Sequence, residues 1–210
     1  MNKYNFLIVM ISAFLTVSVN DTYGQAWNFV KGKDGIKIYT RDVSGSSLKS
    51  FKGEVTFKAD IEKVSLIVGN AKNIDWWDKD IIEKKVVAFE ENKFIRYYIV
   101  YDVPWPLSRR DLVLEAQIST DPITGDRIVF AKPLLNLMPE KPEIVRIKKY
   151  WQKWTVQPMN NGNIHVILEG FVDPGGNIPN WLYNTVITET PFRVLTALRD
   201  RVLSDRPANK

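Results

Sequence analysis

The sequence predicts a single α+β domain in which a curved antiparallel sheet wraps a long C-terminal helix. Three observations predict it. Runs with two-residue alternation, clearest where Phe51, Gly53, Val55 and Phe57 interleave with Lys52, Glu54 and Thr56, are separated by polar or glycine-bearing turns, the pattern of a half-buried antiparallel meander. The last segment, 181–202, changes to a spacing near 3.6 residues, the mark of an amphipathic helix. A sheet with one apolar face and a helix with one apolar stripe are both satisfied when each covers the other. No repeat, low-complexity tract or linker interrupts 27–204, so 210 residues are read as one folded unit.

The elements follow in chain order. Residues 1–25 read as a secretory signal, with Lys3 as a basic start, an apolar stretch over 6–19 and small or polar residues up to Gly24. About 14 apolar positions are too few for a spanning helix, which needs roughly 20. Cleavage near 24–27 leaves a domain of 26–205 and a disordered tail of 206–210. A strand at 36–41 follows the Lys33-Asp34-Gly35 turn, and the alternating run at 51–57 is the next. Asp60 can cap a helix carrying Ile61, Val64, Leu66 and Val68, and a second helical segment at 74–79 holds Trp76 and Trp77.

Strands then dominate. Runs at 82–89 and 94–101 flank the turn 90–93 as a hairpin, and 112–118 alternates up to the turn 121–126. The meander continues through 128–132, 144–156 and 164–172, the last two joined by Asn160-Asn161-Gly162-Asn163. Gly175 and Gly176 suit a turn needing positive φ, and Pro179 suits the start of the final helix. Pro191 falls inside that helix and should bend it. A sheet curled about one helix leaves room between them. Aromatic residues make up 12% of the chain and many lie on strands, so bulky apolar walls suit a ligand cavity.

Composition narrows the chemistry. The chain has no cysteine, which removes disulfides, thiolate metal sites, cysteine nucleophiles and a lipid-bearing cysteine after the signal. The net charge is +5, with acidic and basic residues interspersed, which reads as a solvated mixed surface and not a nucleic-acid face. His165 alone cannot build a metal site, and it alternates with Ile164 and Val166 as a strand surface residue would. No nucleophile motif, phosphate-binding glycine loop or metal-ligand cluster is present. No cofactor and no catalytic residue are therefore expected.

Two segments at strand ends carry the strongest functional signal. Pro104-Trp105-Pro106-Leu107 sets an amphipathic ring between two prolines that stiffen the backbone, and indole favours the boundary between water and acyl chains. Arg110 and Asp111 follow, pointing to opposite faces of a strand. A charge turned into an apolar cavity is costly unless paired, so an inward member should find an opposite charge and could offer a hydrogen bond to a lipid headgroup. Arg146 stands in the same position. Trp76, Trp77, Tyr97, Tyr98, Trp151 and Trp154 supply wall material, with one ring of each neighbouring strand pair inward. Trp76 and Tyr98 are the candidates, with Trp181, Thr185 and Val186 as the cavity floor.

The order Asp34-Gly35-Ile36, Trp76-Trp77, Pro104-Trp105-Pro106 with Arg110-Asp111, Val145-Arg146, Asp173-Pro174-Gly175-Gly176 with Ile178-Pro179, and a helix containing Pro191 resembles the START family of lipid-binding and lipid-transfer domains. The resemblance spans about 27–203. It implies a helix-grip fold with a hydrophobic tunnel for one lipid, and a lid made of the loops at 103–110 and 174–178 with the C-terminal helix, opening at a membrane. Trp105, Pro106, Leu107, Gly176, Asn177 and Ile178 fall in that lid. Asn177 departs from the pattern, where relatives often carry tryptophan, so Trp105 carries more of the membrane contact. The expectation is a monomeric, exported, non-enzymatic carrier of a hydrophobic molecule that touches membranes transiently. The rivals are a helix-grip enzyme of aromatase or cyclase type and an envelope scaffold without ligand.

Overall fold

In the computed structural model, residues 26–70, 80–104 and 106–204 are described. The expected signal segment, the helical segment with Trp76 and Trp77, Trp105 and the tail lie outside the described residues. Ten strands form one sheet: β1 (Asn28–Lys33), β2 (Ile36–Asp42), β3 (Lys49–Lys58), β4 (Ile81–Glu90), β5 (Phe94–Tyr101), β6 (Arg110–Thr120), β7 (Arg127–Pro133), β8 (Val145–Arg146), β9 (Lys149–Pro158) and β10 (Asn163–Asp173). Among the described residues two helices accompany them, α1 (Ile61–Val68) and α2 (Asn180–Leu203). The strand order is β1-β2-β3-β10-β9-β7-β6-β5-β4, antiparallel throughout, with β8 added parallel to β6. The curved sheet and C-terminal helix make the helix-grip arrangement that the alternation and the change of period predict.

Turn chemistry explains most of the connections. Asp34 and Gly35 both take positive φ between β1 and β2, as a two-residue hairpin turn requires, and Asn161 and Gly162 take positive φ in the longer connection between β9 and β10. Asp121 Oδ1 accepts from the amides of Ile123 and Thr124 at 2.8 and 3.0 Å, closing the β6–β7 turn. Asp60 caps α1 by accepting from the Glu62 amide at 2.9 Å.

Three local expectations are corrected. The buried residues of α1 are Val64 and Ile67, while Leu66 is 67% exposed. The run at 144–156 is two strands, because its first part pairs with β6 and its second with β7 and β10. β1 was not expected, since its burial pattern shows no alternation to betray it. The final helix forms as one element through Pro191.

One principal core lies between the concave face of the sheet and α2. It joins Ile38, Phe51 and Val55 to Leu114, Trp154, Val166, Leu168, Leu195 and Leu198. The buried face of α2 is Tyr183, Ile187, Val194, Leu195, Leu198 and Val202, and the helix packs chiefly on β2 and β3. Glycine makes the close approaches. A Cβ at Gly53 would lie 2.7 Å from Leu195 Cδ1, and one at Gly170 would lie 2.5 Å from Phe51 Cζ and 3.1 Å from the Trp151 carbonyl oxygen. Gly170→Ala is therefore expected to overpack the core and lower stability by about 1–3 kcal/mol in urea denaturation. Phe51→Leu introduced beside it should return part of that loss.

Candidate ligand-binding site at the mouth of the sheet

Five strand ends meet at one end of the sheet. Tyr101, the last residue of β5, pairs with Arg110, the first of β6, and Arg110 also pairs with Val145 of β8. Lys149, the first of β9, pairs with Asp173, the last of β10. The segments 102–109 and 174–179 leave from these ends. In the first, the Leu107 amide donates to the Pro104 carbonyl at 3.1 Å. In the second, Asp173 Oδ1 accepts from the Gly175 amide at 3.1 Å while Gly175 and Gly176 hold φ of 65° and 64°. The Pro179 carbonyl then accepts from the Leu182 and Tyr183 amides, which starts α2.

Register decides which side chains enter the concavity. Paired residues share a face, so Tyr97, opposite Leu114, and Arg110, opposite Tyr101, lie on the concave side, as do Tyr150 opposite Val172 and Gln152 opposite Gly170. Burial pushes the phenols of Tyr97 and Tyr150 up from their ordinary value, and Tyr97 and Tyr101 raise Tyr150 further by their charge when ionised. Both hydroxyls stay protonated donors at neutral pH. Neither has a hydrogen-bond partner among the described residues. The lining is thus apolar with a few hydroxyl, amide and guanidinium groups at the mouth, the make-up of a small-molecule site.

Arg110 is 5% exposed. Its guanidinium donates to the Ser108 carbonyl in the first loop and, at 3.4 Å each, to the Pro174 and Gly175 carbonyls in the second. Burial lowers its pKa. An inward charge was expected to find an opposite charge, and among the described residues Arg110 has none.

Asp111 and Arg146 are corrected from ligand contacts to a framework pair on the convex side. Asp111 Oδ1 accepts from Arg146 Nε at 2.7 Å and Oδ2 from Nη2 at 2.9 Å, with both side chains almost wholly buried. The Met138 and Pro139 carbonyls take two further guanidinium hydrogens at 3.2 and 3.1 Å. Asp111 holds the Arg146 pKa above its ordinary value. Four of the five guanidinium N–H groups are thus occupied by the protein, which leaves little for a ligand. Tyr98 is corrected likewise: it is 1% exposed in a second, convex-side cluster with Val100, Val113, Leu134, Leu137 and Met138. The segment after β7 covers it, because that face is not wet as the alternation had implied.

The cavity-floor residues are corrected too. Trp181 is 69% exposed, Val186 is 41% exposed and Thr185, whose hydroxyl donates to the Trp181 carbonyl at 2.9 Å, is exposed. The buried residues of this part of α2 are Tyr183 and Ile187. The Tyr183 hydroxyl donates to the Lys49 carbonyl at 2.6 Å, and burial pushes its pKa up to about 12. Of the lid residues, Pro106, Gly176 and Asn177 are exposed, Leu107 is half-buried and Ile178 packs on the principal core. Trp76 and Trp105 lie outside the described residues.

Sequence reasoning missed Tyr101 and Tyr150, and chose the wrong member of the Tyr97-Tyr98 pair. The available signal was the two-residue spacing that links Tyr97 to Tyr101 and Tyr150 to Trp154. His165 sits on the convex face with Nδ1 2.9 Å from Thr56 Oγ1. Among the described residues, no group of three or more metal-ligating side chains is gathered, and no helix is long and apolar enough to cross a membrane. An open depression of about 460 Å³ lies away from the mouth, on the convex face of β5–β7, across the Arg96–Glu115 ion pair.

Comparisons with known proteins agree with this geometry. A family model described as START domain matches residues 17–204. A solved fragment of a STAR-related lipid transfer protein from Xanthomonas axonopodis is 31% identical, with a TM-score of 0.75 over 84% of this chain and 98% of that one. An uncharacterised protein of Pseudomonas aeruginosa is 28% identical over 92% of this chain and 94% of its own. The phosphatidylcholine transfer protein of Rattus norvegicus is 28% identical over 77% of this chain and 76% of its own.

The Asp111–Arg146 pair generates a stability prediction. Asp111→Ala should cost about 3–5 kcal/mol in urea denaturation, because it strands a buried guanidinium. Asp111→Leu combined with Arg146→Met should cost far less, since it removes both charges together.

Proposed function

Because the chain belongs to the START domain family of lipid-binding and lipid-transfer proteins, we propose that it holds one hydrophobic, lipid-like molecule between α2 and the concave sheet. The observation that carries this reading is the concave lining itself, where apolar walls meet the Tyr97 and Tyr150 hydroxyls that lack protein partners among the described residues. Each hydroxyl has a proton to donate, and a ligand oxygen entering from the mouth accepts it.

Acyl chain supplies the bulk of the affinity against water, about 0.8 kcal/mol per methylene and roughly 12 kcal/mol for sixteen carbons. Extraction from a bilayer gains little from that term, because the chain is already in hydrocarbon. Selectivity then rests on polar groups at the mouth, and rate rests on opening of the loops 103–110 and 174–178. The protein is a carrier in this reading, not an enzyme. It works as an exported monomer after loss of residues 1–25, and Trp105 meets the membrane surface when the loops part.

Native mass spectrometry of the protein purified under non-denaturing conditions tests the reading, with a co-purifying lipid in one-to-one stoichiometry expected. A protein that neither retains a lipid nor takes one up from vesicles would overturn it. Trp105→Ala should slow transfer of a fluorescent lipid between vesicles while leaving stability within about 1 kcal/mol. Unchanged transfer would remove Trp105 from the gate.

A further inference from the structure

Two arginines are buried at neighbouring places in this sheet, and their surroundings differ in kind. Arg146 has a bidentate carboxylate and two carbonyls at ordinary distances. Arg110, on the opposite face of the same β-pairing, has no carboxylate among the described residues and is held by carbonyls alone, two of them at 3.4 Å. A desolvated cation whose acceptors are all neutral carbonyls, two of them at 3.4 Å, is under-satisfied, because hydrogen bonds between two charged groups are shorter and roughly twice as strong. Asp111 cannot serve, since both its oxygens are committed to Arg146 and it faces away.

The carbonyls that Arg110 does hold belong to both mouth loops: Ser108 in one, Pro174 and Gly175 in the other. Gly176 brings the second loop so near that a Cβ there would lie 3.6 Å from Arg110 Nη2. The guanidinium is therefore a tie across the mouth as well as a free positive charge beside the Tyr101 and Tyr150 end of the concavity.

Resting on the lipid-binding reading above, we propose that Arg110 is the receptor for an anionic oxygen headgroup, phosphate or carboxylate, and that taking the headgroup releases the tie between the loops. The planar fork of arginine matches two oxygens of such a group. A ligand oxyanion replaces three neutral acceptors with charged ones. Bonds from Arg110 to Ser108, Pro174 and Gly175 are given up in exchange, so loading with an anionic lipid loosens the loops, whereas a neutral lipid with the same chains leaves them tied.

The test uses the full chain and matched lipid pairs that differ only in the charged group: phosphatidic acid against diacylglycerol, and a long-chain fatty acid against its alcohol. Binding from vesicles should favour the anionic member of at least one pair by about tenfold, the worth of one charged hydrogen bond. Arg110→Gln should bring that ratio close to one without weakening the neutral lipid, and Arg110→Lys should restore only part of it. Hydrogen exchange at Leu107 and Gly176 should rise with the anionic lipid and not with the neutral one. If Arg110→Gln does not fold, the ratio and the exchange in the unaltered protein decide alone. Equal binding of both members in each pair overturns this inference and leaves lipid binding standing. Binding of neither overturns both. Inorganic phosphate that binds as tightly as phosphatidic acid assigns the site to the free anion and overturns the headgroup.

Discussion

The seat of α2 on β2 and β3 is the constraint from which the rest of the molecule follows. It is a backbone-close contact, made where Gly53 lets Leu195 and Pro191 approach the sheet. Polar pins fix the helix along its length: Tyr183 to the Lys49 carbonyl, Arg193 to Asp80 at 3.5 Å, and Arg199 to the Asp34 carbonyl at 2.6 Å. With the helix committed to β2 and β3, the concave faces of β5, β6 and β9 stand opposite it. Tyr97, Arg110 and Tyr150 lie on those concave faces.

That constraint also separates what the sequence made legible from what it did not. Alternation in 51–57 and the 3.6-residue spacing of 181–202 are local properties, and both elements formed as expected. The sign of each alternation is a different matter, because period two says that Tyr97 and Tyr98 face apart without saying which faces in. The answer depends on which side α2 lies, a contact nearly a hundred residues away. Trp181 and Leu66 failed for a related reason: a helix stripe is broad, and residues at its edge are assigned by the partner surface. The run at 144–156 hid a change of partner, since one apolar run can serve β6 at its start and β7 and β10 afterwards.

Adjacent Arg110 and Asp111 show the same logic in electrostatics. A strand sends neighbours to opposite faces, so one residue step separates two environments. On the convex side Asp111 finds Arg146 and two carbonyls take further guanidinium hydrogens, which suits a permanent fixture: breaking a buried pair is far costlier than the pair's net worth. It anchors β8 to β6 and closes the cover over Tyr98 and Val113. The sequence could place the two charges on opposite faces. It could not reveal that one would be satisfied by the protein and the other left with backbone carbonyls.

In the proposed reading, a carrier must reconcile a rigid frame with a mouth that opens, and the two arginines would divide that work. Bonds that must persist should be charged, short and bidentate, as between Asp111 and Arg146. Bonds that must part should be neutral and long, because the cost of parting them limits the rate of exchange. The Arg110 bonds to Pro174 and Gly175 meet that requirement. The glycines at 175 and 176 sit in their turn without strain at positive φ, and proline at 104, 106 and 179 limits how far each loop can rearrange. Under the proposed gating such loops would swing as stiff flaps about their ends, and Arg110 at the start of β6 is placed where both loops meet.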